Sequence, residues 1–210
     1  SSAIAQSMIV GMQSYEITDP SVESQVVTRH HSGADTFINV STPKFAAQSI
    51  RKAYDIVWQP LQLLSYASAA VTAVMVPAGA EKGVDVISST YFKDPTDPRW
   101  ADDPDYRGYT AFIETYLPGA DKSDIFYTVG YMMAASLVAL LDQSGDDLTR
   151  ENVMREVAYL DQRIPMPLPG IKLETSPTNY YPIRALQLER FDGKSFVLLG
   201  EPVTGLSNPQ

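Results

Sequence analysis

The chain has 210 residues, 44% hydrophobic and 20% charged, enough apolar material for one large domain or two small lobes and too ordered in composition for a disordered chain. Its net charge of −9 repels phosphate, which argues against nucleic acid as a partner, and gives no attraction to anionic lipid. With no cysteine, disulfides, thiolate catalysis and Cys-ligated metals are excluded.

Ser7–Val10 reads as a strand. Asp19-Pro20 reads as a helix start, with Asp19 as N-cap, and the helix continues through Val22, Val26 and Val27 to a stop at Ser32-Gly33. Ala34–Val40 is the next strand. Pro43 opens a second helix with Phe45, Ala46, Ile50, Ala53 and Tyr54 on one face. Leu61–Leu64 is a third strand, Ala69–Val76 a short helix ending at Pro77-Ala78-Gly79, and Val84–Ser88 a fourth strand. Strands alternating with helices over short loops predict a parallel, doubly wound α/β sheet with right-handed crossovers.

The pattern changes at "KDPTDPRWADDPDYRGY", a proline-rich and acidic crossing segment. Three helices follow, over about 106–116, 123–143 and 149–160, the last opened by the imperfect capping box Thr149-Arg150-Glu151-Asn152. No apolar run reaches the roughly 18 residues of a membrane span, and the longest, around Tyr131–Leu141, reads as a buried helix. Ile183–Phe191 and Ser195–Leu199, joined by Asp192-Gly193, read as a hairpin. The chain does not begin with Met and has no basic region at its start, so it is expected to start inside a longer protein.

The blocks "TPKFAAQSIRKAYDI", "YFKDPTDPRWADDPD", "GDDLTRENVMREVAYLD" and "LPGIKLETSPTNYYPIRALQLERFDGKSFVLLGE" resemble, in order and over essentially the whole chain, the solute-binding proteins of branched-chain-amino-acid-type ABC transporters. The resemblance implies the type I periplasmic binding protein fold: two α/β lobes joined by three crossing strands, with a small-molecule ligand in the cleft between them. It implies that residues 1–90 form lobe 2, residues 91–172 the helical part of lobe 1, and residues 173–210 a return to lobe 2 with a hairpin. It also implies partners: a membrane permease, and a missing N-terminal part that supplies the sheet for apolar helix faces such as Met132, Ala135, Leu137 and Leu141. The location implied is periplasmic, with a signal peptide on the full-length precursor.

Candidate ligand residues lie where predicted strands end. Ser41-Thr42-Pro43 joins strand to helix, and ligands of open α/β sheets bind beyond the carboxyl ends of strands, where helix N-termini suit acceptor groups. Taken alone, Thr42 before Pro43 is an ordinary N-cap; the resemblance turns the balance toward ligand contact by Ser41 and Thr42. Ser65 and Tyr66 end the next strand. Amino-acid-binding members of the family carry an acidic residue there for the ligand's ammonium, whereas Tyr66 offers a ring and a hydroxyl without charge. Phe126 and Tyr127 open the long helix where the family places an aromatic against the ligand's apolar part, with core packing as the competing reading. Tyr91 precedes the crossing segment and stands near the hinge.

Other features point away from chemistry. His30 and His31 are the only histidines and, adjacent on a helix, face different directions. Asn39-Val40-Ser41 matches a glycosylation pattern on a strand end, where it is discounted. The acidic run 102–105 reads as a solvated loop. No nucleophile with base and orienter can be assembled, and no phosphate loop is present, so the chain is read as a non-enzyme without cofactor or metal. The expected function is an extracytoplasmic receptor for a small organic acid, aromatic or hydrophobic. A branched-chain amino-acid receptor and a ligand-sensing regulatory domain of the same fold are the alternatives.

Overall fold

The computed structural model describes residues 6–204, and the chain divides into two units. The first comprises Ser1–Ser89 and Glu189–Val197, the second Thr90–Leu188 and Leu198–Gln210.

In the first unit, helix α1 (Glu23–His31), strand β1 (Thr36–Asn39), helix α2 (Pro43–Asp55) and strand β2 (Leu61–Leu64) follow one another over short connections. Pro43 sits at the first turn of α2, where its fixed φ suits the helix and its missing N–H has no intrahelical partner to lose. Phe45, Ala46, Ile50 and Ala53 recur at helical spacing and are almost wholly buried. β1 and β2 pair in parallel, Thr36 opposite Leu61 through Asn39 opposite Leu64. Val26 of α1, Ala53 of α2 and Trp58 form one buried cluster, against which Ala34, Phe37 and Ile56 pack. The Trp58 indole N–H donates to the Ala34 carbonyl at 3.3 Å, so its polar tip is not stranded in that core.

Strand β3 (Ile87–Thr90) pairs in parallel with β2, and the sheet continues through β6 (Ala185–Phe191) and β7 (Phe196–Thr204), in the order β1-β2-β3-β6-β7. The turn between β6 and β7 is set by Asp192, whose carboxylate accepts the N–H groups of Lys194 and Ser195 at 2.8 and 2.9 Å, and by Gly193 at φ 99°, a conformation that glycine adopts without strain.

In the second unit, α4 (Pro104–Tyr116), α5 (Ile125–Ser144) and α6 (Arg150–Val157) are each opened by a side-chain cap, from Asp103, Asp124 and Thr149 respectively. The Thr149 hydroxyl accepts the Asn152 N–H at 3.4 Å. A short antiparallel pair, β4 (Asp161–Gln162) and β5 (Leu173–Glu174), lies beyond α6.

Several elements differ from the sequence expectation. Ser7–Val10 is not a strand: a 3₁₀ turn covers Gln6–Met8, and Met8, Ile9 and Val10 are exposed. A short apolar run has strand propensity, but only a paired neighbour makes it a strand. Asp19 does not cap α1; its carboxylate accepts the Glu16 N–H at 2.9 Å, closing a turn, and the helix begins four residues later. The helix expected over 69–76 is a wide π turn, Val71–Met75, running into one α turn, α3 (Val76–Ala78). Both Val74 and Met75 donate to the Ala70 carbonyl, and Pro77, which has no N–H to give, follows within the same stretch. β3 starts three residues later than expected, because Gly83 to Val86 form a turn with Asp85 at φ 68°. The stretch 131–141 is helical but largely open, with Met133, Leu137 and Val138 more than half exposed. By length and composition α5 is long and apolar enough to cross a membrane.

Candidate functional site

At the carboxyl ends of β1 and β2 the chain builds a dense polar turn. The Ser65 N–H donates to the Asn39 carbonyl at 2.9 Å, which continues the β1–β2 ladder to the point where both strands stop. The Ser68 hydroxyl donates to the Ser41 carbonyl, and the Ser41 hydroxyl donates to the Asn39 side-chain oxygen at 2.6 Å. Ser41 and Ser65 are thus brought together. Tyr66 opens the 3₁₀ turn Tyr66–Ser68 on the same edge and is half exposed.

The turn is not bare. Thr42 takes the N-cap position of α2 in an extended conformation, but its hydroxyl makes no capping bond. Its N–H donates to the Tyr15 hydroxyl at 2.8 Å, and the Tyr15 ring packs on Phe45 with centroids 4.6 Å apart. Asn39 is buried, and its side-chain nitrogen has no hydrogen-bond partner. A buried polar atom without a partner costs about 1–3 kcal/mol; Arg29, His30 and Thr128 carry such atoms as well. Sequence reasoning counted neither Tyr15 nor Asn39 among the ligand residues, taking Asn39 only as part of a discounted glycosylation pattern. Tyr15 lies 27 positions from Thr42 with no pattern linking them, whereas Asn39 was visible as the last polar residue of the strand.

The remaining candidates belong to the second unit. Phe126 and Tyr127 stand in the first turn of α5 and are 47% and 38% exposed in this chain. The Asp124 carboxylate fixes that turn by accepting the Phe126 N–H at 2.9 Å. Tyr91 stacks edge-on against Phe92, with centroids 5.1 Å apart, and its carbonyl accepts the Leu168 N–H at 3.0 Å. Together with the Lys93 N–H on the Met166 carbonyl at 2.8 Å, this pairs residues 91–93 with 166–168 in antiparallel fashion. Met166 is fully buried at φ 79°, a left-handed conformation that a side chain adopts at a cost.

The acidic run is not simply a solvated loop. Lys93, 3% exposed, donates to Asp103 at 2.7 Å and to Asp105 at 2.8 Å, and Arg163 reaches the same Asp105 oxygen at 2.9 Å. Burial alone would raise the Asp103 carboxyl, but the Lys93 ammonium and the N–H groups of Tyr106 and Asp105 outweigh it and hold it below the usual carboxylate range. Asp94 goes the other way: burial pushes it up despite the Thr96 N–H and hydroxyl at 2.8 Å. Only Asp102 of the run is fully solvated. The proline-rich spacing announced a loop; the burial of Lys93, which recruits the two acids, comes from its backbone bond to Met166, distant in sequence. Among the described residues no group of three His, Cys, Asp or Glu could hold a metal ion.

Residues 3–188 match the model of a family described as periplasmic binding protein. A branched-chain amino acid ABC transporter protein from Thermus thermophilus, solved with bound valine, is similar over 92% of this chain and 52% of its own, at 15% identity and a TM-score of 0.78. A solute binding protein from R. palustris in complex with 4-hydroxybenzoate covers 90% of this chain and 50% of its own, at 13% identity and a TM-score of 0.67. A fatty acid ABC transporter substrate-binding protein from Thermomonospora curvata covers 91% and 49%, at 18% identity and a TM-score of 0.65. The chain thus spans about half the length of these structures, and the likeness establishes the type I periplasmic binding protein fold. A search of curated proteins returned no match.

Proposed function

The chain belongs to the periplasmic binding protein family, and we propose that it is part of an extracytoplasmic receptor that binds a small organic acid and delivers it to the membrane permease of an ABC importer. The observation that carries the ligand role is the polar turn of Asn39, Ser41 and Thr42 beyond parallel strands, with a buried donor left unpaired. Ser41, Thr42, Ser65 and Tyr66 are the proposed ligand contacts of the first unit, and Tyr91, Phe126 and Tyr127 those of the second. In lobe terms, residues 1–90 are proposed as one lobe, 91–172 as the helical part of the other and 173–210 as a return to the first; of that return, Glu189–Val197 group with the first unit. The working location is the periplasm, the protein acts without turnover of its ligand, and a further part of the protein covers the open apolar side of α5.

Tyr66 favours an aromatic or hydrophobic carboxylate. An amino acid's ammonium needs a negative partner once buried, and a phenol supplies none. The 4-hydroxybenzoate-bound neighbour supports this ligand class. The valine-bound neighbour, with the highest TM-score among the structures described above, supports a second reading, a branched-chain amino-acid receptor. Titration calorimetry of the intact protein with 4-hydroxybenzoate and with valine separates them: the acid is expected to bind and valine to bind weakly. Phe126→Ala should weaken the acid by about 1–3 kcal/mol through lost burial while the melting curve stays in place. Tight valine binding without acid binding overturns the ligand class, and unchanged affinity in Phe126→Ala removes that residue from the site.

A further inference from the structure

We infer that Tyr15 is the residue through which the β1–α2 turn holds a ligand carboxylate, with Lys44 supplying the positive charge that selects it. The inference rests on the receptor reading above and names the group that the turn recognises.

The argument starts at the N-terminus of α2, a 13-residue helix whose first turn contains no acidic residue. Helix N-termini carry a partial positive charge, and acidic residues are the ones that stabilise them. Here the second helical position is Lys44, a cation placed against that preference. Its ammonium lies 4.7 Å from the centre of the Phe45 ring and donates to the Asp19 carbonyl at 3.3 Å, so it stays beside the turn. Asp19, whose backbone carbonyl takes the Lys44 ammonium, uses its carboxylate on the Glu16 N–H, and no salt bridge from Lys44 is formed among the described residues. Positive helix end and ammonium together favour an anion.

Tyr15 is the group placed to meet it. Its oxygen accepts the Thr42 N–H at 2.8 Å, which leaves the phenolic proton free to donate onward. A hydroxyl that accepts from a helix N-terminal N–H is polarised into a stronger donor, because chained hydrogen bonds reinforce one another. The ring is fixed by packing on Phe45, itself 1% exposed, so the hydroxyl is held rather than swinging. Thr42 and Lys44 are exposed, which leaves an approach open from solvent. A second observation at the same turn is Asn39, 6% exposed, whose side-chain oxygen accepts the Ser41 hydroxyl while its nitrogen has no partner. If the amide is turned over, its oxygen becomes the orphan and the nitrogen bonds Ser41, so one polar atom is unmatched in either orientation.

The test uses calorimetry on the intact protein with 4-hydroxybenzoate, its neutral amide 4-hydroxybenzamide, and valine. Tyr15→Phe keeps the ring on Phe45 and removes only the hydroxyl. It should weaken whichever carboxylate the wild type binds by about tenfold, the loss expected for one hydrogen bond to a charged group, and should leave the melting temperature in place. Lys44→Gln, at an exposed position, should weaken the carboxylate several-fold and spare the amide, with the loss shrinking as salt is added. Wild-type affinity for the carboxylate in Tyr15→Phe overturns the inference and leaves the receptor reading standing. Equal losses for acid and amide in Lys44→Gln overturn the assignment of the recognised group as an anion. Binding of none of the three probes by the wild type overturns the receptor reading and the inference with it. Valine binding alone, lost in Tyr15→Phe, upholds the inference and overturns only the aromatic ligand class.

Discussion

Helices α2 and α5 show two ways for an apolar sequence to meet its surroundings. Of the 13 residues of α2, Phe45, Ala46, Ala47, Ser49, Ile50 and Ala53 are buried in the first unit. α5 has 20 residues, is far more apolar, and buries only Ile125, Thr128, Met132, Leu140 and Ser144. Its open side borders an apolar groove with Phe112, Tyr131, Ala135, Val138, Ile164 and Pro165. Amphipathicity explains the first helix by itself: one stripe faces the core and the rest faces water. It does not explain the second, where apolar residues occur all round and half have no cover. A helix with that composition is built to be enclosed.

The comparison can be broken at either end. The largest effect should come from α2: Phe45→Ala removes a ring that is almost fully buried and that also seats Tyr15, and should cost about 3–5 kcal/mol in denaturant unfolding of the intact protein. A loss below 1 kcal/mol would mean that α2 is not the packed element described. Next comes α5. Leu137 is 55% exposed, so Leu137→Lys should be nearly neutral, within about 0.5 kcal/mol, if that side stays open. In the intact protein, with the proposed cover in place, the same change should cost about 2–4 kcal/mol by burying a charge. The measured value therefore decides between a solvated and an enclosed α5.

The smallest effects contrast two carboxylates of one segment. Asp103 is held below its ordinary pKa, so its contribution to stability is present above about pH 4 and is lost as pH falls through the lowered folded value. Asp94 is raised by burial, so folding favours its protonated form, and its charged form costs stability that returns as pH falls through the raised value. Asp103→Asn should lower stability at pH 7 by about 1 kcal/mol, the difference between a charged and a neutral hydrogen bond, and the deficit should fade below pH 4. Asp94→Asn keeps an acceptor for Thr96 and should raise the melting temperature slightly at pH 7, with the gain fading toward pH 3. Thermal melts across that window check both, and parallel curves for the two variants would refute the opposed assignment.

Much of the fold was legible because its signals are local. Pro43 as a helix start, β2 over Leu61–Leu64, and the Asp192-Gly193 turn follow from residue chemistry within a few positions. The failures share a cause. Ser7–Val10 has strand chemistry without a strand beside it among the described residues, Asp19 closes a turn back to Glu16 instead of capping α1, and the 71–78 helix widened ahead of Pro77. Of the site, the strand-end serines could be read from the β–turn–α order. Their closure by Ser68 and Tyr15 could not, since both bonds span 27 residues.

By itself the sequence determined the α/β alternation, the parallel β1–β2–β3 core that short crossovers require, and, through its ordered blocks, the family. Only the tertiary structure decided that Thr42's N–H belongs to Tyr15, that Asn39 carries a buried unpaired polar atom, and that an exposed-looking acidic run closes on Lys93. The physical reason is range. Helix and turn preferences are fixed by neighbouring dihedrals and side chains, whereas the partner of a buried polar atom is whichever group the folded chain brings within about 3 Å.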